Sequence, residues 1–170
     1  EQILDNAEGM LEVLDRDIKK LPLLQGKTVI TLFFEPSTRT RVSFEQAGKI
    51  LGADVINVTA NESSKSKGES FLNTALTLQA MKADVIVMRH PHSVAPNFLA
   101  NRLDTSIINA GDGAHAHPSQ SLLDLLTLRK NLGSLSGKKI AIVGDILYSR
   151  VARSNLWGLT KMGAHLTLCG

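Results

Sequence analysis

A parallel α/β fold, with helices on both faces of the sheet, is what the sequence predicts, on three observations. Short apolar runs alternate with segments of helical spacing along all 170 residues, the pattern of strand–helix repeats. Runs such as Val29-Ile30-Thr31-Leu32-Phe33 read as strands buried inside a protein rather than lying on its surface. The stretch Leu132-Gly133-Ser134-Leu135-Ser136-Gly137 interrupts the pattern, and a fresh strand follows it.

Taken in order, residues 2–19 carry Ile3, Leu4, Ala7, Leu11, Leu14 and Ile18 at helical spacing, which predicts an amphipathic helix. A strand is expected over 27–34, then a helix over 41–51 on Val42, Phe44, Ala47, Ile50 and Leu51. Strand 54–58, helix 69–82, strand 84–88, helix 94–103 and strand 105–109 continue the alternation. Pro118 suits the first turn of a helix over 118–131. Strand 138–143, helix 150–162 and strand 165–169 complete the reading. The break predicts a first domain over 1–133 and the beginning of a second over 134–170. The chain opens at Glu1 inside a helix and closes at Gly170 after a strand, so a longer polypeptide is expected.

Composition narrows the function classes. At 43% hydrophobic and 21% charged the chain reads as an ordinary globular protein. A net charge of +3 suits anionic substrates but falls short of a nucleic-acid-binding stripe. One Trp, one Tyr and five Phe are too few for base stacking. Cys169 stands alone, which excludes an internal disulfide framework and fits a reducing, cytoplasmic setting. No apolar run approaches the ~20 residues of a membrane span, and no signal peptide is visible.

Residues 34–41, Phe-Glu-Pro-Ser-Thr-Arg-Thr-Arg, carry the strongest chemical signal. Three hydroxyls and two guanidiniums sit at a strand-to-helix junction, where unpaired N–H groups and the helix dipole favour an anion. Arginine adds a planar fork matched to phosphate oxygens. The plainer reading has Ser37 or Thr38 capping the helix with both arginines in solvent. Two arginines at the positive end of a dipole oppose it, so a small phosphate-bearing ligand is the better account.

Other segments fall at the same ends of the predicted strands. The polar loop 61–70 carries Lys65 and Lys67 before a helix, either as a solvated connection or as ammonium groups closing on a phosphate. Ser66 or Glu69 is expected to cap that helix. Arg89 ends a strand, facing either a ligand or a nearby carboxylate, and His90 beside Pro91 reads as structural. Asn109 to Gln120 form a glycine-bearing loop that puts His117 at a helix start, able to hydrogen-bond a carbonyl oxygen, with Gln120 able to accept from an NH2 group. His115 and His117 have no third ligand at metal spacing, so neither metal nor cofactor is expected. Gly144-Asp145 after the next strand lacks the G-x-G-x-x-G dinucleotide fingerprint. Arg150 there either meets a carboxylate or lies on the surface.

Five motifs in order, FFEPSTRTR, SKSKGES, MRHP, NAGDGAHAHPSQ and GDILYSR, resemble the aspartate/ornithine carbamoyltransferase family, and its aspartate branch more closely. The resemblance implies a carbamoyl-phosphate domain followed by an amino-acid domain. It also implies transfer of the carbamoyl group to the α-amine of L-aspartate, an early step of pyrimidine synthesis. Residue by residue, Ser37, Thr38, Arg39 and Thr40 would hold the phosphate, and Arg89 would bridge phosphate and carbonyl oxygen. Thr40, Arg89 and His117 would polarise the carbonyl, and Gln120 would hold the carbamoyl nitrogen. Arg39 joins them as a sharp test of catalysis. Ser63 on carbamoyl phosphate and Lys67 near both substrates would enter from a neighbouring subunit of a homotrimer. Arg150 would take an aspartate carboxylate.

A regulatory chain or a dihydroorotase is a partner the family allows. Ser119 where the family commonly has Thr is a minor departure. The family's second arginine, glutamine and Pro-Leu loop of the aspartate site lie beyond this sequence. Rival readings are a carbamoyltransferase for another amine such as ornithine, and a non-catalytic homologue that binds carbamoyl phosphate.

Overall fold

The computed structural model describes residues 1–59 and 70–170. Helix α1 (Gln2–Leu14) precedes β1 (Thr28–Phe33), α2 (Thr38–Ile50) and β2 (Asp54–Thr59). There follow α3 (Phe71–Ala80), β3 (Val85–His90), α4 (Ala95–Ala100), β4 (Ser106–Asp112) and α5 (Pro118–Leu132). Strand β5 (Lys139–Val143), α6 (Arg150–Lys161) and β6 (His165–Cys169) end the chain. Strands β2-β1-β3-β4 form one sheet and β5-β6 another, every pair parallel. No helix among the described residues is long and apolar enough to cross a membrane.

The four-stranded sheet is covered on both faces, as its uninterrupted apolar strands require. Period-2 alternation sends Ile30, Leu32, Ile86 and Met88 to one face, where they pack with Ala75 and Leu78 of α3 and Leu99 of α4. Val29, Phe33 and Val87 go to the other face, against Phe44 of α2. A third cluster joins Leu4 of α1, Leu125 of α5 and Leu159 of α6 to Ile140, Ile142 and Leu166 of the smaller sheet.

The strand order places a topological switch between β1 and β3, because the chain leaves β1 for β2 on one side and returns to β3 on the other. The crevice at the carboxyl ends there is the usual ligand position of such sheets. Its edge is closed by the Phe34 N–H donating to the Arg89 carbonyl at 2.9 Å.

Several element boundaries differ from the sequence reading. Helix α1 stops at Leu14 rather than 19. Asp15 and Asp17 are poor helix formers placed at the negative end of the dipole, and Ile18, 75% exposed, covers nothing. Helix α2 starts at Thr38 rather than 41, because Thr38, Arg39 and Thr40 are polar and leave no burial pattern to read. Strand β4 runs on to Asp112, past the end of its apolar run, through a register shift against β3. The cap of α3 is Ser70, whose hydroxyl accepts from Asn73 N–H at 3.1 Å, and the expected caps Ser66 and Glu69 lie outside the described residues. His90 is buried among Phe34 and Phe71, as a structural histidine would be.

Candidate functional site

Four segments at the carboxyl ends of β1, β3, β4 and β5 surround one cleft of about 1260 Å³. The segment after β1 contributes Ser37, Thr38, Arg39 and Thr40, β3 contributes Arg89, and the loop after β4 leads to His117 and Gln120. Arg150 comes from the start of α6. Eight of the predicted site residues are therefore brought together. Ser63 and Lys67 lie outside the described residues.

Ser37 occupies the N-cap of α2 in an extended conformation, yet its side chain makes no capping hydrogen bond. Helix geometry leaves the first-turn N–H groups without carbonyl partners, and no acidic side chain stands in that turn. A capping role is thus not what the octet performs here. It presents hydroxyls, orphan amides and Arg39 to the cleft.

Arg89 and Arg150 converge on one carboxylate. Glu35 Oε1 lies 2.6 Å from Nη2 of each, and all three side chains are at least three-quarters buried. Burial alone would raise the Glu35 pKa, but the hydrogen bond from Arg150 and the charges of both guanidiniums prevail and hold it below the usual carboxylate range. Arg89 Nη1 also donates to the Ala110 carbonyl at 3.3 Å, and Arg150 Nη1 to Gly113 at 3.1 Å. The Nε–H of Arg89 is buried without a partner among the described residues.

Gly111 is the floor beneath them, at φ +116°. A Cβ there would meet Arg89 Nη1 at 3.2 Å and both Arg150 Nε and His117 Cδ2 at 3.4 Å. A side chain would be strained by that backbone and would crowd three site residues at once.

His117 is the N-cap residue of α5, 7% exposed, and Pro118 follows it at the first helical position. Its N–H donates to Ser154 Oγ at 2.8 Å, and its Nδ1 lies 3.3 Å from Ser119 Oγ. Desolvation first, then the positive charges of Arg89 and Arg150, pull its pKa from 6.5 down to about 4. The ring is neutral at pH 7. If the Ser119 hydroxyl donates to Nδ1, the ring proton sits on Nε2, which can then donate.

Gln120 Nε2 donates to Asp124 Oδ1 at 2.9 Å, and Asn155 Nδ2 donates to Asp124 Oδ2 at 2.7 Å. A carboxylate only accepts, so Asp124 sets the amide orientation and leaves the Gln120 carbonyl oxygen as the acceptor on offer. Sequence reasoning missed Asp124 and Ser154, which no local signal distinguishes. It quoted Glu35 within the octet without giving it a role.

Residues 1–130 match the model of a family described as aspartate/ornithine carbamoyltransferase, carbamoyl-P binding domain. The chain is 60% identical over 169 residues to an aspartate carbamoyltransferase catalytic subunit from Roseiflexus sp. (strain RS-1), covering 99% of this chain and 53% of the relative. A catalytic subunit of the same name from Geotalea uraniireducens is 59% identical over 170 residues, with 100% and 55% covered. The chain spans about half the length of the curated relatives it matches. Among solved structures, aspartate transcarbamoylase from Trypanosoma cruzi in complex with carbamoyl phosphate superimposes with a TM-score of 0.87 at 38% identity, covering 98% of this chain and 50% of that one. The same enzyme in complex with aspartate and phosphate gives 0.87 at 38% identity, with 98% and 53% covered.

Proposed function

The chain belongs to the aspartate/ornithine carbamoyltransferase family, and we propose that it supplies the carbamoyl-phosphate half of an active site that makes N-carbamoyl-L-aspartate and phosphate. The observation that carries this reading is the convergence of Arg39, Arg89 and Arg150 with a buried, neutral His117 on one cleft.

The first turn of α2 and Arg39 hold the phosphate, through orphan amides, hydroxyls and a guanidinium. Arg89, which lines the cleft from the end of β3, brings its guanidinium to the phosphate and the carbonyl oxygen. Thr40, Arg89 and His117 donate to the carbamoyl carbonyl oxygen. A neutral imidazole suits that task, because it donates a hydrogen bond without adding a third positive charge beside two arginines. The Gln120 carbonyl accepts from the carbamoyl NH2. The unprotonated α-amine of aspartate attacks the carbonyl carbon, negative charge grows on the oxygen, and the C–O bond to phosphate breaks as the departing phosphate takes the proton that the amine gives up. Catalysis then rests on positioning and on preorganised donors.

Arg150 binds an aspartate carboxylate, and Glu35 is the stand-in partner that holds it ready. Residues 1–133 form the carbamoyl-phosphate domain and 134–170 open the aspartate domain, a division supported by the end of α5 at Leu132 and the separate β5-β6 sheet. The enzyme works as a cytoplasmic trimer in pyrimidine synthesis. Ser63 and Lys67, outside the described residues, serve the cleft of a neighbouring subunit.

The test is a ureido-product assay on the complete polypeptide, with carbamoyl phosphate and either L-aspartate or L-ornithine. Product with aspartate alone is expected. Product with ornithine alone overturns the acceptor assignment, and none with either overturns the enzymatic reading.

A further inference from the structure

One buried ionisable side chain lies next to the cleft yet takes no part in lining it. Asp112, the last residue of β4, is 0% exposed. Its Oδ1 accepts from Asn109 Nδ2 at 2.8 Å and Ala116 N–H at 3.1 Å, and its Oδ2 accepts from Val94 N–H at 2.6 Å. His115 Nδ1 lies 2.9 Å from Oδ2, and must carry its proton to bond there. The backbone repeats the tie, with Asp112 N–H donating to the Ala116 carbonyl at 3.0 Å. Asn109, oriented by this carboxylate, accepts the Gly111 N–H at 2.7 Å.

These bonds end on the two places that set the site. Gly111 is the floor under both guanidiniums, and Ala116 is the residue before His117. We propose that Asp112 is a positioning residue that fixes the loop carrying His117, and that it acts through His117 rather than on substrate. This rests on the carbamoyltransferase reading above. A second bond does a different task. Val94 is a β-branched residue at φ +67°, a strained backbone, and the Oδ2 contact to its N–H helps hold it there.

An amide cannot replace this carboxylate. Whichever way an asparagine side chain turns, its NH2 group faces the N–H of Ala116 or that of Val94, donor against donor. The shape is conserved and the loop is released.

The experiment uses the complete enzyme in its native assembly, as wild type, Asp112→Asn, His117→Ala and the double variant. Asp112→Asn is expected to lower kcat about 10- to 100-fold, the scale of a small misplacement of a catalytic group. KM for carbamoyl phosphate should move less than about threefold, because the α2 end is untouched, and in the His117→Ala background the same change should cost less than about threefold. A kcat within about twofold of wild type, or equal losses in both backgrounds, overturns the proposal.

The His117 ring resonances, assigned by their loss in His117→Ala, report placement without turnover. They should move in Asp112→Asn, and unmoved signals overturn the proposal. Should the wild type make no carbamoyl aspartate, the functional reading has failed, and these resonances alone decide the positioning role. If Asp112→Asn does not fold, Asp112→Asn/Val94→Gly carries the same tests, since glycine adopts that backbone without strain. Failure of both to fold would make Asp112 a folding residue and overturn the assignment.

Discussion

The two sheets are built from similar apolar strands but are buried very differently. In the four-stranded sheet Leu32, Ile86, Met88 and Val87 are at most 1% exposed, because helices cover both faces. In the β5-β6 pair every second residue of β5 is open, and in β6 all but Leu166, with Val143 75% and Leu168 43% exposed. The smaller sheet is anchored on one side only, through Leu125 of α5 and Leu159 of α6. The cleft lies across the two. Arg39, in the first turn of α2, and Arg89, in β3, stand at the end of the well-buried sheet, and Arg150, at the start of α6, stands beside the other; hydrogen bonds across the seam include Glu35 to Arg150, Arg150 to the Gly113 carbonyl, Ser154 to His117, Ser121 to the Ser154 carbonyl and Asn155 to Asp124.

The comparison breaks most directly in the core. Leu32→Ala should cost about 3–5 kcal/mol, as a fully buried leucine with helices on both sides, while Leu168→Ala should stay within about 1 kcal/mol. Equal losses in chemical denaturation would show that both sheets contribute alike. Next in size is chemistry. Arg89→Ala in the complete enzyme should lower kcat about 10²- to 10³-fold, the scale for losing one preorganised donor. A rate within about tenfold of wild type would remove Arg89 from the catalytic set.

The seam itself is probed by Gly158→Ala on α6. An added Cβ would stand 2.6 Å from Ser121 Oγ and 2.8 Å from Leu125 Cδ1, and should cost about 1–3 kcal/mol through overpacking. A neutral result in thermal unfolding would mean that α5 and α6 separate easily.

The smallest effect is protonic. His117 should titrate near 4 by NMR in the free protein, below its ordinary 6.5, because burial and two arginines oppose the imidazolium. A depressed value means that the unfolded chain binds the extra proton first. The contribution of neutral His117 to stability is therefore complete above pH 6.5 and lost as pH falls toward 4. A midpoint at 6.5 would falsify the desolvated placement of this ring.

Much of this was legible in the residues alone. Val29 to Phe33 announced a buried strand through a purely local pattern of hydrophobic side chains, and Pro118 marked a helix start through its fixed φ. Arg39 and His117 stood out because their residue types, at an element junction, already carry a chemistry. Element identity and the anion-binding octet need only neighbours within a few positions, so short-range sterics and periodicity encode them. Glu35 between Arg89 and Arg150 could not be read this way, since the partners lie 115 positions apart in the case of Arg150. Asp112 is an ordinary loop-edge aspartate until β3, β4 and the turn before α5 meet around it. Nor could the depressed His117 pKa be foreseen, because desolvation and guanidinium charge arise only once four segments pack together. An ion pair or a buried acceptor depends on contacts of about 3 Å between distant segments, and only the folded chain creates those.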